Sequence, residues 1–128
     1  TPYGIEARLV LAEIHLEEGN PSRAIETLEA VAPSFRDPLR LQATFLLAVA
    51  YEDAERWDEA VAVYRDLADR AEMTFQRREA TDGLARVYLA MGDTASAREA
   101  YRQLASEFEE GDPVRNYYEM RLAELGGG

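Results

Sequence analysis

The chain lacks cysteine and lysine, and it contains one histidine, His15, and one tryptophan, Trp57. The absence of cysteine excludes disulfides, thiolate catalysis and cysteine-based zinc sites. No apolar run approaches the roughly 20 residues that a membrane-spanning helix needs, and no signal peptide is recognisable. We therefore expect no direct membrane insertion of this chain. These absences leave the compartment open between a periplasm or cell envelope and the cytoplasm.

Positive charge is also scarce. Fourteen arginines stand against 25 aspartates and glutamates, which gives a formal net charge of -11. A surface this acidic repels phosphate backbones, so nucleic acid is not an expected partner. With 47% hydrophobic and 30% charged residues, the composition is typical of an ordered soluble protein, and the many Ala, Leu, Glu and Arg residues favour helices. A length of 128 residues predicts a single domain, 1–128.

Alanines recur in register along the chain. Ala12, Ala48 and Ala85 are separated by 36 and 37 positions, and an aromatic or imidazole ring follows three residues after each. The columns that match in three copies are His15/Tyr51/Tyr88, Ala24/Ala60/Ala97, Leu28/Tyr64/Tyr101, Val31/Leu67/Leu104 and Ala32/Ala68/Ala105. This period predicts three helical hairpins whose paired helices meet at small side chains, because a bulky residue there would overpack. Leu11, Leu47 and Leu84 lie one position before the first alanine of each copy and are expected to share its buried face. One hairpin cannot bury its whole apolar face, so the hairpins must stack.

Helix ends can be placed from glycine and from Asp-Pro pairs. Gly19 and Gly92 end the first helix in two copies, and Glu55-Arg56 takes that place less cleanly in the middle copy. Asp37-Pro38 and Asp112-Pro113 each read as an N-cap followed by proline in the first turn. The sequence therefore predicts seven helices, over about 3–19, 21–33, 38–54, 57–72, 75–91, 94–109 and 113–125.

These columns resemble the tetratricopeptide repeat (TPR) family. The resemblance rests on Leu47-Ala48, Tyr51, Trp57, Ala60, Tyr64 and Leu67 in the second copy, on Leu84-Ala85, Tyr88, Gly92, Ala97, Tyr101 and Leu104 in the third, and more loosely on Leu11-Ala12, His15, Gly19, Ala24, Leu28 and Val31 in the first. It implies an all-α fold: a right-handed α-α superhelix with repeats at about 5–37, 38–74 and 75–111, and a capping helix over 113–125.

The chain departs from the family pattern in two ways. Its spacing of 36 and 37 exceeds the roughly 34 residues usual for this repeat, and the repeat-end proline is displaced to Pro38 and Pro113. Both departures indicate longer loops between repeats. The layout is also similar, more weakly, to bacterial cell-envelope TPR proteins of the translocon-associated and TolA-binding types.

The sequence offers little chemistry. His15 lies in the column of Tyr51 and Tyr88, where it reads as a packing residue or, less readily, as a base or ligand. The neighbouring carboxylates, Glu13 with Glu17 and Glu52 with Asp53, read as a solvated helix face or as an imitation of an acid/base or cation site. No EF-hand spacing, phosphate loop or nucleophile elbow is present. We expect no enzyme activity, no metal and no cofactor.

The family resemblance implies that the first helix of each hairpin lines a concave groove. The groove residues would be Glu6, Leu9, Glu13, Leu16, Glu17, Gln42, Phe45, Val49, Glu52, Asp53, Glu79, Asp82, Arg86 and Leu89. Relatives that grip a terminal carboxylate use lysine, arginine and asparagine in such places, whereas this set is acidic and apolar. We therefore expect an interaction scaffold whose partner is a protein or peptide with basic and apolar residues.

Two other roles stay open at this stage. The chain could self-assemble through open repeat ends, with apolar residues near Tyr118, Met120 and Leu122, so a homo-oligomer is possible. It could also be a regulatory domain of a larger protein. Single residues carry similar alternatives: Trp57 is a packing wedge or an exposed binding anchor, and Gly83 marks close packing or the approach of a ligand.

Overall fold

A computed structural model describes residues 1–126, and within them the chain forms helices and no strands. The seven helices are α1 (Pro2–Glu17), α2 (Pro21–Glu29), α3 (Pro38–Asp53), α4 (Trp57–Arg70), α5 (Thr74–Ala90), α6 (Thr94–Ser106) and α7 (Pro113–Glu124). Each helix packs against the next one along the chain, and α1 also contacts α3. The predicted all-α helical-repeat superhelix is confirmed, with hairpins α1–α2, α3–α4 and α5–α6 followed by α7.

The alanine columns form the centre of each hairpin. All six alanines at the predicted helix-pair positions are completely buried: Ala12, Ala24, Ala48, Ala60, Ala85 and Ala97. Tyr51, Tyr64 and Tyr101 are also buried beside them. Alanine allows two backbones to approach, and the adjacent tyrosines then supply the large apolar area that alanine cannot.

The helix ends also follow the sequence signals. The Asp37 carboxylate accepts a hydrogen bond from the Arg40 amide at 3.2 Å, and the Asp112 carboxylate accepts one from the Val114 amide at 2.8 Å. Pro38 follows the first of these caps in the first turn of α3. Because proline lacks an N–H and has a helical φ, it is well suited to a position where that N–H would have no partner.

Two expectations about the first repeat are wrong. Helix α2 ends at Glu29 rather than near residue 33, because Pro33 cannot donate to the Glu29 carbonyl and disfavours helical geometry at the residue before it. Leu11, which the pattern places on the buried face with Leu47 and Leu84, is exposed. Its counterparts are shielded by a preceding helix that α1 does not have within residues 1–126.

None of the helices in residues 1–126 is long and apolar enough to cross a bilayer.

Two positions after the last residue of the first helix in each hairpin, the chain has a residue with positive φ: Gly19 at 73°, Glu55 at 58° and Gly92 at 79°. The backbone bonds repeat as well. After α3, the Arg56 amide donates to the Tyr51 carbonyl at 2.9 Å and the Glu55 amide to the Glu52 carbonyl at 3.0 Å. This is the Schellman arrangement, in which a left-handed residue closes the helix. Glutamate is strained in that conformation, whereas glycine is not.

Replacing Glu55 with glycine is therefore expected to stabilise the protein. Relief of left-handed strain outweighs the added freedom of the unfolded chain, so Glu55→Gly should raise the free energy of unfolding by about 0.5–1 kcal/mol in urea denaturation. The matched control is Gly92→Ala at the equivalent position, which should lower it by about 1 kcal/mol. Equal stability of Glu55→Gly and the parent protein would contradict this account.

Candidate partner-binding groove

A cavity of about 750 Å³ lies along the first helices of the hairpins and is bordered by α7. Helices α1, α3 and α5 all contribute side chains to it, and Phe108 precedes α7. The lining residues are Glu13, Gln42, Phe45, Leu46, Val49, Tyr64, Phe75, Arg78, Glu79, Asp82, Arg86, Phe108, Tyr117 and Tyr118. We call this cavity the groove.

Half of the residues predicted for the groove lie in it. The structure brings together Glu13, Gln42, Phe45, Val49, Glu79, Asp82 and Arg86. They come from three different helices that are far apart in sequence, so the repeat register places all three first helices on the same side. Whether these residues bind a partner stays a prediction.

The other predicted residues lie elsewhere. Leu9 is buried in the core, contrary to expectation, because α1 packs against both α2 and α3 and leaves it no free surface. Leu16 and Leu89 are partly buried against the core. Four acidic residues remain outside the lining: Glu6, Glu17 and Asp53, which are exposed, and Glu52, which is partly buried.

Arg78 lines the groove, but the sequence pattern does not predict it there. The positions equivalent to it in the first two copies are Ile5 and Leu41, which are both buried. A column that is apolar in two copies reads as core, so the pattern gives no reason to place the third copy's arginine in the groove. Arg78 instead stacks over Phe108, with 4.4 Å between the guanidinium carbon and the ring centroid, and its Nε lies 3.5 Å from Glu107 Oε1.

Glu52, Tyr64 and Arg86 form one hydrogen-bonded group between α3, α4 and α5. Arg86 donates to both Glu52 carboxylate oxygens, at 2.8 and 3.1 Å. The Tyr64 hydroxyl donates to Glu52 Oε1 at 2.9 Å and accepts from Arg86 Nη2 at 3.2 Å. Arg86 Nη1 also reaches Asp82 Oδ2 at 3.3 Å. The bidentate geometry fixes the guanidinium in place.

Tyr64 and Arg86 keep their protonation states around neutral pH. Burial, and then the charge of Glu52, raise the pKa of the Tyr64 hydroxyl well above its ordinary value. The hydrogen bond to Glu52 raises the pKa of Arg86. Tyr64 therefore stays protonated and Arg86 stays charged, because each of these forms is the one that its neighbours stabilise.

The arginines and the carboxylates of the groove differ in how far other residues of the protein contact them. Arg86 is held by two carboxylates, and Arg78 lies against Phe108 and Glu107. In contrast, Glu13 and Glu79 are exposed and have no hydrogen bond or ion pair within residues 1–126. The Arg86 guanidinium is thus hydrogen-bonded within the protein. The buried Nε of Arg78 has no hydrogen-bond partner among the described residues, and the longer ion pair and the stacked ring are its contacts. Part of the negative charge faces solvent.

Aromatic rings close the end of the groove next to α7. The Tyr118 ring centroid lies 6.0 Å from that of Tyr101, 6.4 Å from that of Phe108 and 5.3 Å from that of Tyr117, in the last case edge-on. Tyr118 is partly buried and Tyr117 is exposed, which suits one packing ring and one ring free for a partner. Burial, followed by the charge of Asp82, raises the pKa of Tyr118.

Models of the tetratricopeptide repeat match the chain in two places, over residues 9–72 and over residues 79–110. The first match alone spans half of the 128 residues. The chain belongs to the tetratricopeptide repeat family. TPR domains are protein-interaction modules in general, and they are typically not catalytic.

Solved structures of TPR-like repeats have the same fold as this chain. Two crystal structures of a Podosopora anserina putative kinesin light chain with nearly identical TPR-like repeats, one of them carrying a substitution, superpose on the chain. They share 24% and 25% identity with it and cover 97% and 98% of it, with TM-scores of 0.71 and 0.69. The chain spans 66% of each of those longer chains. No curated protein gives a significant match.

The geometry gives little support to a catalytic or metal-binding role for His15 or for the paired carboxylates. The His15 Nδ1 atom is buried without a hydrogen-bond partner, and no group of three or more His, Cys, Asp or Glu side chains in residues 1–126 is arranged to hold a metal. Glu52, one of the paired carboxylates, is occupied by Arg86 and Tyr64. Trp57 is partly buried against the core, in keeping with a packing role.

Gly83 allows α5 to pack closely on α4. A Cβ atom there would lie 2.6 Å from Tyr64 Cε1 and 2.7 Å from Tyr64 Cζ, inside van der Waals contact. The Tyr64 ring cannot easily move aside, because it is buried and its hydroxyl is tied to Glu52 and Arg86.

We expect Gly83→Ala to destabilise the protein despite the better helix propensity of alanine. Overpacking of about 1–3 kcal/mol outweighs a propensity gain of about 1 kcal/mol, and urea unfolding measures the difference. A double-mutant cycle provides the control: Gly83→Ala should cost less in a Tyr64→Leu background, because leucine lacks the ring atoms that clash. A cost that is the same in both backgrounds would exclude Tyr64 as the cause.

Proposed function

We propose that this TPR chain is a non-catalytic interaction scaffold that binds a basic and apolar peptide segment in the groove. The observation that carries the proposal is the division of charge. The groove exposes Glu13 and Glu79 without partners in the described part of the chain, whereas Arg86 is hydrogen-bonded to Glu52 and Asp82 and Arg78 lies beside Glu107. A lysine or arginine of a ligand would therefore find free carboxylates, and a ligand carboxylate would meet Arg86 already held by two carboxylates and Arg78 next to the charge of Glu107.

The apolar part of the groove supplies the contact area. Phe45, Val49 and Phe75 lie on α3 and α5, with Phe75 exposed and the other two partly buried. Tyr117 adds a second exposed ring at the α7 end. Exposed aromatic rings next to partly buried apolar side chains are typical of anchor sites, where a ligand side chain is desolvated between them.

The size of the groove favours a short peptide as the ligand. A cavity of about 750 Å³ falls within the range of concave sites that enclose a few side chains, and the three first helices present it as a continuous strip. An extended strand or one helical turn with alternating basic and apolar residues would fit such a strip.

The test is binding of a fluorescein-labelled peptide of lysine, leucine and phenylalanine at helical spacing, followed by fluorescence anisotropy. Phe45→Ala combined with Glu79→Arg should raise the dissociation constant at least tenfold, since an anchor contact is lost and an attraction becomes a repulsion. Glu79 is preferred to Glu52 for the charge reversal, because Glu52 holds Arg86 and Tyr64 in place.

Asp69→Arg is the matched control, since it reverses a carboxylate that is also exposed and lies on α4 outside the groove. It should leave the dissociation constant within about twofold. A second peptide with every lysine changed to glutamate should bind at least tenfold more weakly to the unmodified protein. Tight binding of that acidic peptide, or a loss of affinity that Asp69→Arg reproduces, would overturn the proposal.

A further inference from the structure

A second, smaller cavity lies beside the groove, between the N-terminal halves of α3 and α5. Its volume is about 270 Å³, and we call it the side pocket. The lining residues are Pro38, Leu41, Gln42, Phe45, Phe75, Gln76 and Glu79. Gln42, Phe45, Phe75 and Glu79 also line the groove. Because the two cavities share these side chains, a ligand in the groove passes the mouth of the side pocket.

The side pocket carries negative charge and lacks a cation. Glu79 is its charged lining residue, and no arginine of the described residues lines it. Neither Glu79 nor Gln42 makes a side-chain hydrogen bond or ion pair within residues 1–126. Gln76 differs, since its Oε1 accepts from the Met73 amide at 3.1 Å. The pocket therefore offers one carboxylate and one amide to a donor from outside.

Two phenylalanine rings border this carboxylate. Phe75 is 61% exposed, and Phe45 is partly buried on the facing helix. Phe75 and Glu79 are four residues apart on α5, so they are neighbours on one helix face. In the described part of the chain, no arginine stacks on either ring. Aromatic faces beside a carboxylate attract a cation that has an apolar stem.

Elsewhere the protein fills the same combination with its own arginines. Arg78 lies over the Phe108 ring, at 4.4 Å from the centroid, and its Nε is 3.5 Å from Glu107 Oε1. Three further arginines each contact one aromatic ring and one carboxylate: Arg56, Arg86 and Arg121. The side pocket has the rings and the carboxylate but not the arginine.

We propose that the side pocket takes the side chain of one arginine from the segment bound in the groove. Its guanidinium lies against the Phe45 and Phe75 rings and donates hydrogen bonds to the Glu79 carboxylate and the Gln42 amide oxygen. This assignment rests on the proposed function and adds to it which basic residue the groove selects. The carboxylate supplies attraction, and the rings supply contact area.

The selection of arginine over lysine follows from the chemistry of the two cations, because the chain has no lysine with which to compare its own arginines. A guanidinium is planar and weakly hydrated, so it stacks on a ring while its N–H groups point in its plane towards carboxylate and amide oxygens. An ammonium is compact and strongly hydrated, and it loses more hydration on entering an aromatic site.

The first test compares three labelled peptides by fluorescence anisotropy: the peptide of lysine, leucine and phenylalanine, and versions with every lysine changed to arginine or to citrulline. Citrulline keeps the shape of arginine without its charge. The arginine peptide should bind at least fivefold more tightly than the lysine peptide and at least tenfold more tightly than the citrulline peptide.

Glu79→Gln and Phe45→Leu should each reduce the preference for arginine over lysine to within about twofold. Glu79 is exposed and pairs with no described residue, so its replacement should leave the fold intact. Phe45→Leu keeps an apolar side chain at a partly buried position. Circular dichroism of both variants should match that of the unmodified protein.

The matched controls are Glu13→Gln and Tyr117→Leu. Each removes an exposed carboxylate or ring that lines the groove but not the side pocket. Both should weaken the arginine and lysine peptides by the same factor, and the preference for arginine should stay at least fivefold. A preference that Glu13→Gln lowers as much as Glu79→Gln does would reduce the effect to total charge and overturn the proposal.

A second test does not depend on peptide binding in the groove. N-acetyl-arginine amide is titrated into the isotope-labelled chain and followed by nuclear magnetic resonance. It should shift the Gln42 side-chain amide and the Phe75 ring signals, whereas N-acetyl-lysine amide at the same concentration should shift them several-fold less.

The outcomes distinguish the two proposals. Equal affinities of the arginine and lysine peptides, or of the arginine and citrulline peptides, would overturn the side-pocket assignment and leave binding in the groove intact. If no basic peptide binds, the proposed function fails, and the small arginine probe decides the pocket alone. Shifts at Gln42 and Phe75 would then support the pocket, and their absence would overturn it.

Discussion

The close approach of two helices at paired alanines is the constraint on which the rest of the structure depends. The six alanines at the helix-pair positions are completely buried, two in each hairpin, and any larger side chain there would separate the helices. A separation within one hairpin would also rotate the face that it presents to the next. The repeat register and the alignment of the three first helices along the groove therefore follow from the absence of side-chain volume at these six positions.

Tyr64 connects this packing to the groove. Its ring fills the space opposite Gly83, and its hydroxyl lies between Glu52 and Arg86. The contact between Tyr64 and Gly83, which sets the distance between α4 and α5, thus also positions the hydrogen-bonded Glu52 and Arg86 side chains. Because Arg86 is committed to this group, the electrostatic character of the groove follows from how two hairpins stack and not only from which charges line it.

Sequence reasoning predicts the hairpins reliably because their signals are local and repeated. Gly19, Gly92 and the Asp-Pro pairs each act within one helical turn, so periodicity and capping are enough to place seven helices. The groove is only half predictable. Arg78 occupies a column that is apolar in the other copies, and the identity of Phe108 as its stacking partner depends on where the loop before α7 lies.

The exposure of Leu11 shows a different limit of the pattern. Periodicity predicts which residues share a face, but burial requires a neighbour, and a first repeat has no preceding helix within the described residues. Leu11, Leu47 and Leu84 share one column and run from exposed through partly buried to buried. The column is the same in all three copies, whereas the environment depends on position in the stack. A repeat sequence alone cannot distinguish a core position from an uncovered one at its end.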